Sequence, residues 1–292
     1  MAKHPAFPPS VAKGLSDFVY FLAVPALLFS VTSKGLPWAE VHWGMTFGYF
    51  SVCYGLFVVS CVFSRVVFGL TLDQQALFGM GSVFGNTVLM GIPLILSAFG
   101  EAGILPLAMI ISFHSVFLLP LVLVVAEVGR SGGKTFKAIP KLLFQAVFKN
   151  PIIMALLSGT VWGLTAQPLP EAVSALMGML GAAAAPCALF ALGASLMQLK
   201  LAGDVRESMA VATLKLVAMP LLVWSVGRFL FELPQLWLAV AVIMAALPSG
   251  TMVFITAQRY DLFVQRAAST VLISTVISVI TLTLVLWLLL PT

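Results

Sequence analysis

Apolar residues run through this chain in blocks of about 17 to 25, the length an α-helix needs to cross the hydrocarbon of a bilayer, with polar residues gathered between the blocks. In order, the blocks fall at 15–32, 43–63, 79–100, 104–126, 151–164, 172–199, 209–231, 237–260 and 267–290. Nine membrane helices are expected, the fifth of them short. The third block departs from the others. Its sequence, GMGSVFGNTVLMGIPLILSAFG, carries Gly79, Gly81, Gly85, Asn86, Gly91 and Pro93 where a lipid-facing helix would carry leucine. Pro93 has no N–H and clashes with the preceding turn, and Gly91 frees the backbone just before it, so an interruption is expected there. Freed backbone groups cannot face hydrocarbon, so the interruption must be buried in protein or line a polar cavity. That makes it a candidate binding site. The competing reading is a kinked helix packed through the small face of Gly81 and Gly85.

Composition fixes the class. With 61% hydrophobic residues, 9% charged and a mean hydropathy of +1.11, the chain is an all-α polytopic membrane protein and not an ordinary soluble domain. No polar stretch is long enough to add a soluble domain. Cys53, Cys61 and Cys187 lie inside apolar blocks without metal-ligand spacing, which reads as small core residues and no disulfide. The first dozen residues, basic and proline-rich, have no apolar core and are not a signal peptide. Ser10 and Lys13 match an S-x-x-K nucleophile pattern, but its companion motifs do not occur, and chance explains so short a match.

Charge orients the chain. The segment 129–150 carries Arg130, Lys134, Lys137, Lys141 and Lys149 and no acid, so the positive-inside rule makes it a cytoplasmic linker. Its later part reads as a solvated loop or as a basic helix on the membrane surface. Alternating outward from it puts twelve of the fifteen Lys and Arg on the cytoplasmic side, with Lys34 and Arg228 outside and Lys215 within a span. The N-terminus is then expected in the cytoplasm and the C-terminus outside, in the periplasm of a bacterial inner membrane. The net charge of +5 reports orientation and contact with anionic lipid, and implies no nucleic-acid partner.

Two phrases recur at one offset. LAVPALLFSVTSKGL around Pro25 is echoed by AAAPCALFALGASLM around Pro186, 161 residues later, and the broken apolar run ending near Phe99 is echoed by AVAVIMAALPSGTMVFITAQRYDL at the same spacing. An odd number of spans lies between equivalent elements, so the copies face opposite ways, the inverted-repeat design of secondary transporters. The expected organisation is a first repeat at 1–128, the linker at 129–150 and a second repeat at 151–292. The second copy opens with 151–164, which has no partner before Leu15. The first helix of repeat 1 is therefore expected to be absent, giving four plus five helices.

GLSDFVYFLAVPALLF, GNTVLMGIPLILSAFGEAG, APCALFALGASL, LKLVAMPLL and LPSGTMVFITAQRYD resemble the auxin efflux carrier family, whose bacterial members include permeases for malonate and other organic acids. The resemblance runs from about Phe7 to the C-terminus. It implies two inverted five-helix repeats in which the fourth helix of each is broken at a proline and the two breaks cross at mid-membrane. Here those helices are the third and eighth blocks. Asn86 matches the first crossover; members commonly carry Asn where this chain has Met252, so the second arm offers no amide there. By the same resemblance the first, fifth and sixth spans form a scaffold that is also a candidate homodimer surface, and the other spans move across it.

Elementary electrostatics agrees with that implication. Half-helices starting near Pro93 and Pro248 would aim unpaired N–H groups and positive dipole ends at the crossing, which attracts an anion. Asn86 is expected to bond a carboxylate, Gly91, Pro93, Pro248 and Gly250 to shape the breaks, and Ser249 and Thr251 to supply hydroxyls. His114, within the fourth span, reads equally as a proton or substrate group and as an imidazole bonded between helices. Lys215 either snorkels to the cytoplasmic surface or pairs with substrate. Gln258 reads as polar lining or as an interfacial residue, and Asp17 as a cytoplasmic or capping carboxylate.

The expected function is a secondary carrier for a small organic anion, a mono- or dicarboxylate such as malonate, working by elevator-like alternating access with a proton or sodium ion as candidate coupling ion. An anion channel and a non-transporting membrane receptor of the same fold are the alternatives. No Walker A sequence, H-E-x-x-H or nucleophile elbow occurs, and no catalytic set, metal site or cofactor is implied.

Overall fold

The computed structural model describes residues 9–35, 41–131, 144, 148–197 and 205–289. Most of the basic linker lies outside the described residues, as do both chain ends. Within them the secondary structure is helical: α1 (Pro9–Phe18), α2 (Val24–Thr32), α3 (Trp43–Phe68), α4 (Leu72–Val83), α5 (Ile92–Phe99), α6 (Ile104–Phe113), α7 (Leu119–Ser131), α8 (Pro151–Leu164), α9 (Glu171–Ala182), α10 (Ala184–Leu196), α11 (Val205–Thr213), α12 (Met219–Ser225), α13 (Gln235–Ala246), α14 (Thr251–Tyr260) and α15 (Val264–Leu289).

Among the described residues, six helical stretches are long and apolar enough to cross a membrane: Ser10–Thr32, Trp43–Phe68, Thr87–Phe113, Glu171–Leu196, Val205–Leu230 and Val264–Leu289. Pro151–Leu164 and Gln235–Ala246 are apolar but shorter. Of the other expected spans, 104–126 is continuous through α6, the turn His114–Leu118 and α7, and two are interrupted by the backbone. Block 79–100 leaves helical geometry after Val83, and block 237–260 leaves it after Ala246. Within Thr87–Phe113, Gly100 (φ +58°, ψ −143°) ends α5 before one 3₁₀ turn leads into α6.

Prolines shape these helices through a device the sequence did not announce. Five-residue π-turns occupy Val19–Ala23, Thr87–Gly91, His114–Leu118 and Leu214–Ala218, and each ends two residues before a proline: Pro25, Pro93, Pro120 and Pro220. A proline inside a helix removes one hydrogen bond and collides with the carbonyl four residues back. Widening the preceding turn gives the ring room while the helix continues. Pro93 is therefore accommodated inside a helical stretch, and the interruption expected beside it lies earlier, at Phe84–Asn86.

Helix ends are set locally. Thr71 and Gln74 form a capping box at the start of α4, and the Asn150 side chain accepts from the Ile152 and Ile153 N–H groups to open α8. Some hydroxyls inside the helices bond their own backbone: Thr32 to the Leu28 carbonyl (2.9 Å) and Thr275 to that of Val271 (2.7 Å). These two hydroxyls thus enter apolar surroundings satisfied. Large apolar side chains such as Val66, Met179, Phe229 and Ile280 are exposed, as a surface bathed in hydrocarbon requires.

The chain forms two compact units, each with segments from both sides of the linker. One comprises residues 1–41, 88–112 and 144–198, the other 42–87, 113–143 and 199–292. In the first, α2 packs on α8 and α9, and α10 on α1 and α5. Glycines set the closeness: a Cβ on Gly159 would stand 2.1 Å from Thr32 Oγ1 and 2.8 Å from the Phe29 carbonyl oxygen, and one on Gly163 2.7 Å from the Thr32 carbonyl oxygen. This is small-residue helix packing, which replaces the hydrophobic effect as the source of association in lipid. In the second unit, α3 and α7 flank α4, α11 and α14 pack on α15, and α12 packs on α13. Gly79 admits the Phe57 ring and Gly129 approaches the Asp73 backbone.

Gly159→Ala should therefore destabilise the protein by about 1–3 kcal/mol through overpacking. Gly193→Ala, in α10, meets nothing within 4 Å and should leave stability unchanged or raise it by up to about 1 kcal/mol through helix propensity. Thermal unfolding of the two variants in detergent would show opposite signs; equal shifts would contradict the α2–α8 contact.

Candidate functional site at the crossing of two interrupted helices

The residues that meet at this site lie within the second unit. Between α4 and the π-turn at Thr87, and again between α13 and α14, the chain is extended for a few residues, and there the two segments pair as an antiparallel β-bridge, Gly85 opposite Ser249. The Asn86 N–H donates to the Pro248 carbonyl (2.9 Å) and the Gly250 N–H to the Phe84 carbonyl (2.8 Å). Each interruption supplies the partners that the other lacks. Glycine is required by proximity: a Cβ on Gly250 would lie 2.8 Å from the Gly85 carbonyl oxygen and 3.1 Å from its carbon.

The carbonyl ends of the two preceding helices, where the negative poles of their dipoles lie, are also covered. Ser249 Oγ donates to the Gly81 carbonyl in α4 (2.7 Å). Lys215 Nζ donates to the Ala245 carbonyl in α13. The Ser249 N–H is taken by Ser274 Oγ from α15 (3.1 Å). Beyond the bridge, α14 starts at Thr251, so its first-turn N–H groups and positive pole are directed back at the crossing.

Asn86 is buried, and its side-chain Nδ2 has no hydrogen-bond partner among the described residues. An unsatisfied amide donor in a membrane interior is costly, and it stands one residue from the bridge. Together with the α14 N-terminus and the Lys215 ammonium, it makes the crossing a collection of donors and positive charge. Such a set can hold a carboxylate.

Of the residues singled out from sequence, Asn86, Pro248, Ser249, Gly250 and Thr251 come together here. Gly91 and Pro93 belong to the other unit, Gly91 closing a π-turn and Pro93 standing in the first turn of α5. Lys215 does not snorkel. Its side chain is fully buried, and Nζ would lie 3.5 Å from a Cβ on Gly85. His114, also buried, packs its ring on Tyr49, Phe50 and Phe84 at centroid distances of 5.5, 5.4 and 5.3 Å. It thereby braces the residue that opens the first interruption. Ser274 and Ala245 carried no signal in the sequence, because a serine or alanine in an apolar helix is ordinary; Gly85 stood out as one of the small residues of the third block.

The unequal tolerance of the two glycines tests the bridge. Gly250→Ala meets backbone atoms and should cost about 1–3 kcal/mol. A Cβ at Gly85 meets neighbours only at 3.5 Å, ordinary contact distance, and Gly85→Ala should cost less than about 1 kcal/mol. Unfolding midpoints in detergent would measure both; the reverse order would refute the pairing.

The family model described as "Membrane transport protein" matches residues 1–286. A "Putative malonate transporter" of Rhizobium meliloti (strain 1021) is 31% identical over 285 residues, covering 96% of this chain and 88% of that protein. An "Uncharacterized transporter" of Methanocaldococcus jannaschii is 24% identical over 285 residues, with 96% and 90% covered. Another, of Methanothermobacter thermautotrophicus, is 26% identical over 215 residues, with 73% and 68% covered. The chain belongs to this membrane transport protein family, the auxin efflux carriers that its motifs resemble.

Proposed function

We propose that this protein is a secondary carrier that moves a small organic anion, a mono- or dicarboxylate of the malonate kind, across a bacterial inner membrane. The observation that carries this reading is the bridged crossing: two interrupted helices tied by reciprocal hydrogen bonds, with an unpartnered buried amide on Asn86 and a helix N-terminus aimed at the same place. A carboxylate there would accept from Asn86 Nδ2, from the first-turn N–H groups of α14 and from the Thr251 hydroxyl, which exceeds what water alone offers a desolvated anion. The similarity to a protein named for malonate supports the substrate class.

Movement is proposed to be elevator-like. The unit made of 42–87, 113–143 and 199–292 contains both interruptions, and the other contains the spans 15–32, 151–164 and 172–199 that serve as scaffold in this reading. Nine crossings arranged as two inverted repeats, with the basic connections in the cytoplasm, complete the proposal. They are supported by the common offset of 161 residues and the distribution of Lys and Arg.

Uptake of labelled malonate and monocarboxylates into proteoliposomes tests the function. Asn86→Ala should lower kcat/KM by about tenfold or more, the value of a lost charge-assisted hydrogen bond of about 1.5–3 kcal/mol, while the protein keeps its unfolding midpoint. Unchanged transport of every accepted carboxylate by that variant would remove Asn86 from the site; no uptake of any carboxylate by the unaltered protein would overturn the function.

A further inference from the structure

Lys215 is a fully buried cation in the second unit. It stands in the π-turn Leu214–Ala218, midway along a stretch apolar enough to cross the membrane, and its side chain is fully buried. Among the described residues no Asp or Glu lies within ion-pair distance of it; the ion pairs there are Lys13 with Asp17 and Arg266 with Glu207. Its ammonium instead meets the carbonyl of Ala245, in the last turn of α13, beside Gly85 of the other interruption. A helix C-terminus offers about half a negative charge, so the surroundings leave part of the positive charge uncompensated. Only one of the three ammonium donors is used by Ala245.

We propose that Lys215 is a resident counter-charge, carried across the membrane with the bound anion, so that a monocarboxylate moves with no net charge and a dicarboxylate moves with one. The proposal rests on the reading above that the crossing binds a carboxylate and changes sides. Lys215 belongs to the same compact unit as both interruptions and holds one of them by a hydrogen bond. Whatever displaces the crossing displaces the ammonium with it. A carboxylate bonded to Asn86 Nδ2 would lie one residue from Gly85, the residue that Nζ approaches, so anion and ammonium would belong to the same crossing and move together. An ion carrier ordinarily neutralises its cargo by binding a co-ion from solution; here the cation is covalently part of the carrier.

The consequence is a specific dependence on membrane potential. In one-for-one exchange the carrier crosses loaded in both directions, so the charge moved in each step is that of substrate plus Lys215. For lactate this is zero, and for malonate dianion it is one negative charge. The test is exchange of labelled against unlabelled probe in proteoliposomes, at zero potential and at a potassium-valinomycin potential, inside negative. Lactate exchange should be unaffected, and malonate exchange should slow on the order of threefold, as expected when one charge must cross the full field of a resting membrane in both directions. Lys215→Met adds one uncompensated negative charge to either loaded carrier, so lactate exchange should acquire the sensitivity that malonate shows in the unaltered protein.

Equal potential sensitivity of lactate and malonate in the unaltered protein would overturn the proposal, whether or not the variant folds. So would a folded Lys215→Met protein whose lactate exchange stays insensitive. Should only one probe be exchanged, its sensitivity in the unaltered protein decides: none for lactate or about threefold for malonate supports the counter-charge, and any other value refutes it. If neither probe nor any other carboxylate is exchanged, the proposed function itself falls, and the counter-charge falls with it.

Discussion

The pair of hydrogen bonds between Phe84–Asn86 and Pro248–Gly250 is the constraint from which the second unit follows. A helix interrupted inside a membrane leaves backbone donors and acceptors that hydrocarbon cannot satisfy, each at a cost of several kcal/mol. One interruption alone would be untenable. Two that cross can satisfy each other, but only if their backbones approach as closely as strands in a sheet do, and this excludes a side chain at Gly250. The remaining freed carbonyls then need donors, and Ser249 and Lys215 provide them to Gly81 and Ala245. The polar residues of the crossing are thus required by the fold before any substrate is considered. What the fold leaves over is the Asn86 amide, which serves no structural bond.

Charge is arranged to keep that centre distinct. Glu207 is buried but paired to Arg266 at 3.1 Å. Arg130 donates to the Tyr260 carbonyl and lies over the Tyr260 ring, and Lys13 pairs with Asp17 where both are exposed. Arg130 and Arg266 sit in the last and first turns of their helices and Lys13 is exposed, so each has a partner or water near. Among the described Lys and Arg residues, Lys215 alone is fully buried. A buried ammonium without a carboxylate is destabilising by several kcal/mol; the Ala245 carbonyl offsets part of that cost, and the counter-charge proposed above would give the remaining charge a use.

Much of this was legible in the sequence, for different reasons at different residues. Gly85, Asn86, Pro248 and Gly250 are small or polar where apolar bulk is expected, so their departure from pattern is itself a signal. The location of the first interruption was misjudged because Pro93 is the loudest helix breaker in the block, yet the π-turn Thr87–Gly91 accommodates it. Propensity rules price a proline against an α-helical turn and do not see that a wider turn removes the clash. Snorkelling was the natural reading of Lys215 because a long cationic side chain ordinarily reaches for water. Only the position of the Ala245 carbonyl, brought close by the crossing, explains why it turns inward. Nor do the six long apolar helices map one to one onto nine apolar blocks, since interruption shortens some helices and a 3₁₀ turn joins others.

The reciprocity of the bridge also bears on how such a site can change sides. Opening the crossing locally, by drawing α4 away from α13 and α14, would break both backbone bonds and leave two N–H donors and two carbonyls without partners. With four groups unsatisfied at several kcal/mol each, the opened state would lie far above the few kcal/mol that separate functional conformers. Moving the crossing as one body breaks none of these bonds. It asks only that the contacts of the moving body with its surroundings be exchangeable, and packing between apolar helix faces in lipid is of that kind, carrying little directional cost. The same hydrogen bonds that let the interruptions exist therefore favour rigid displacement over local gating, which is why an elevator is the mechanism proposed for this carrier.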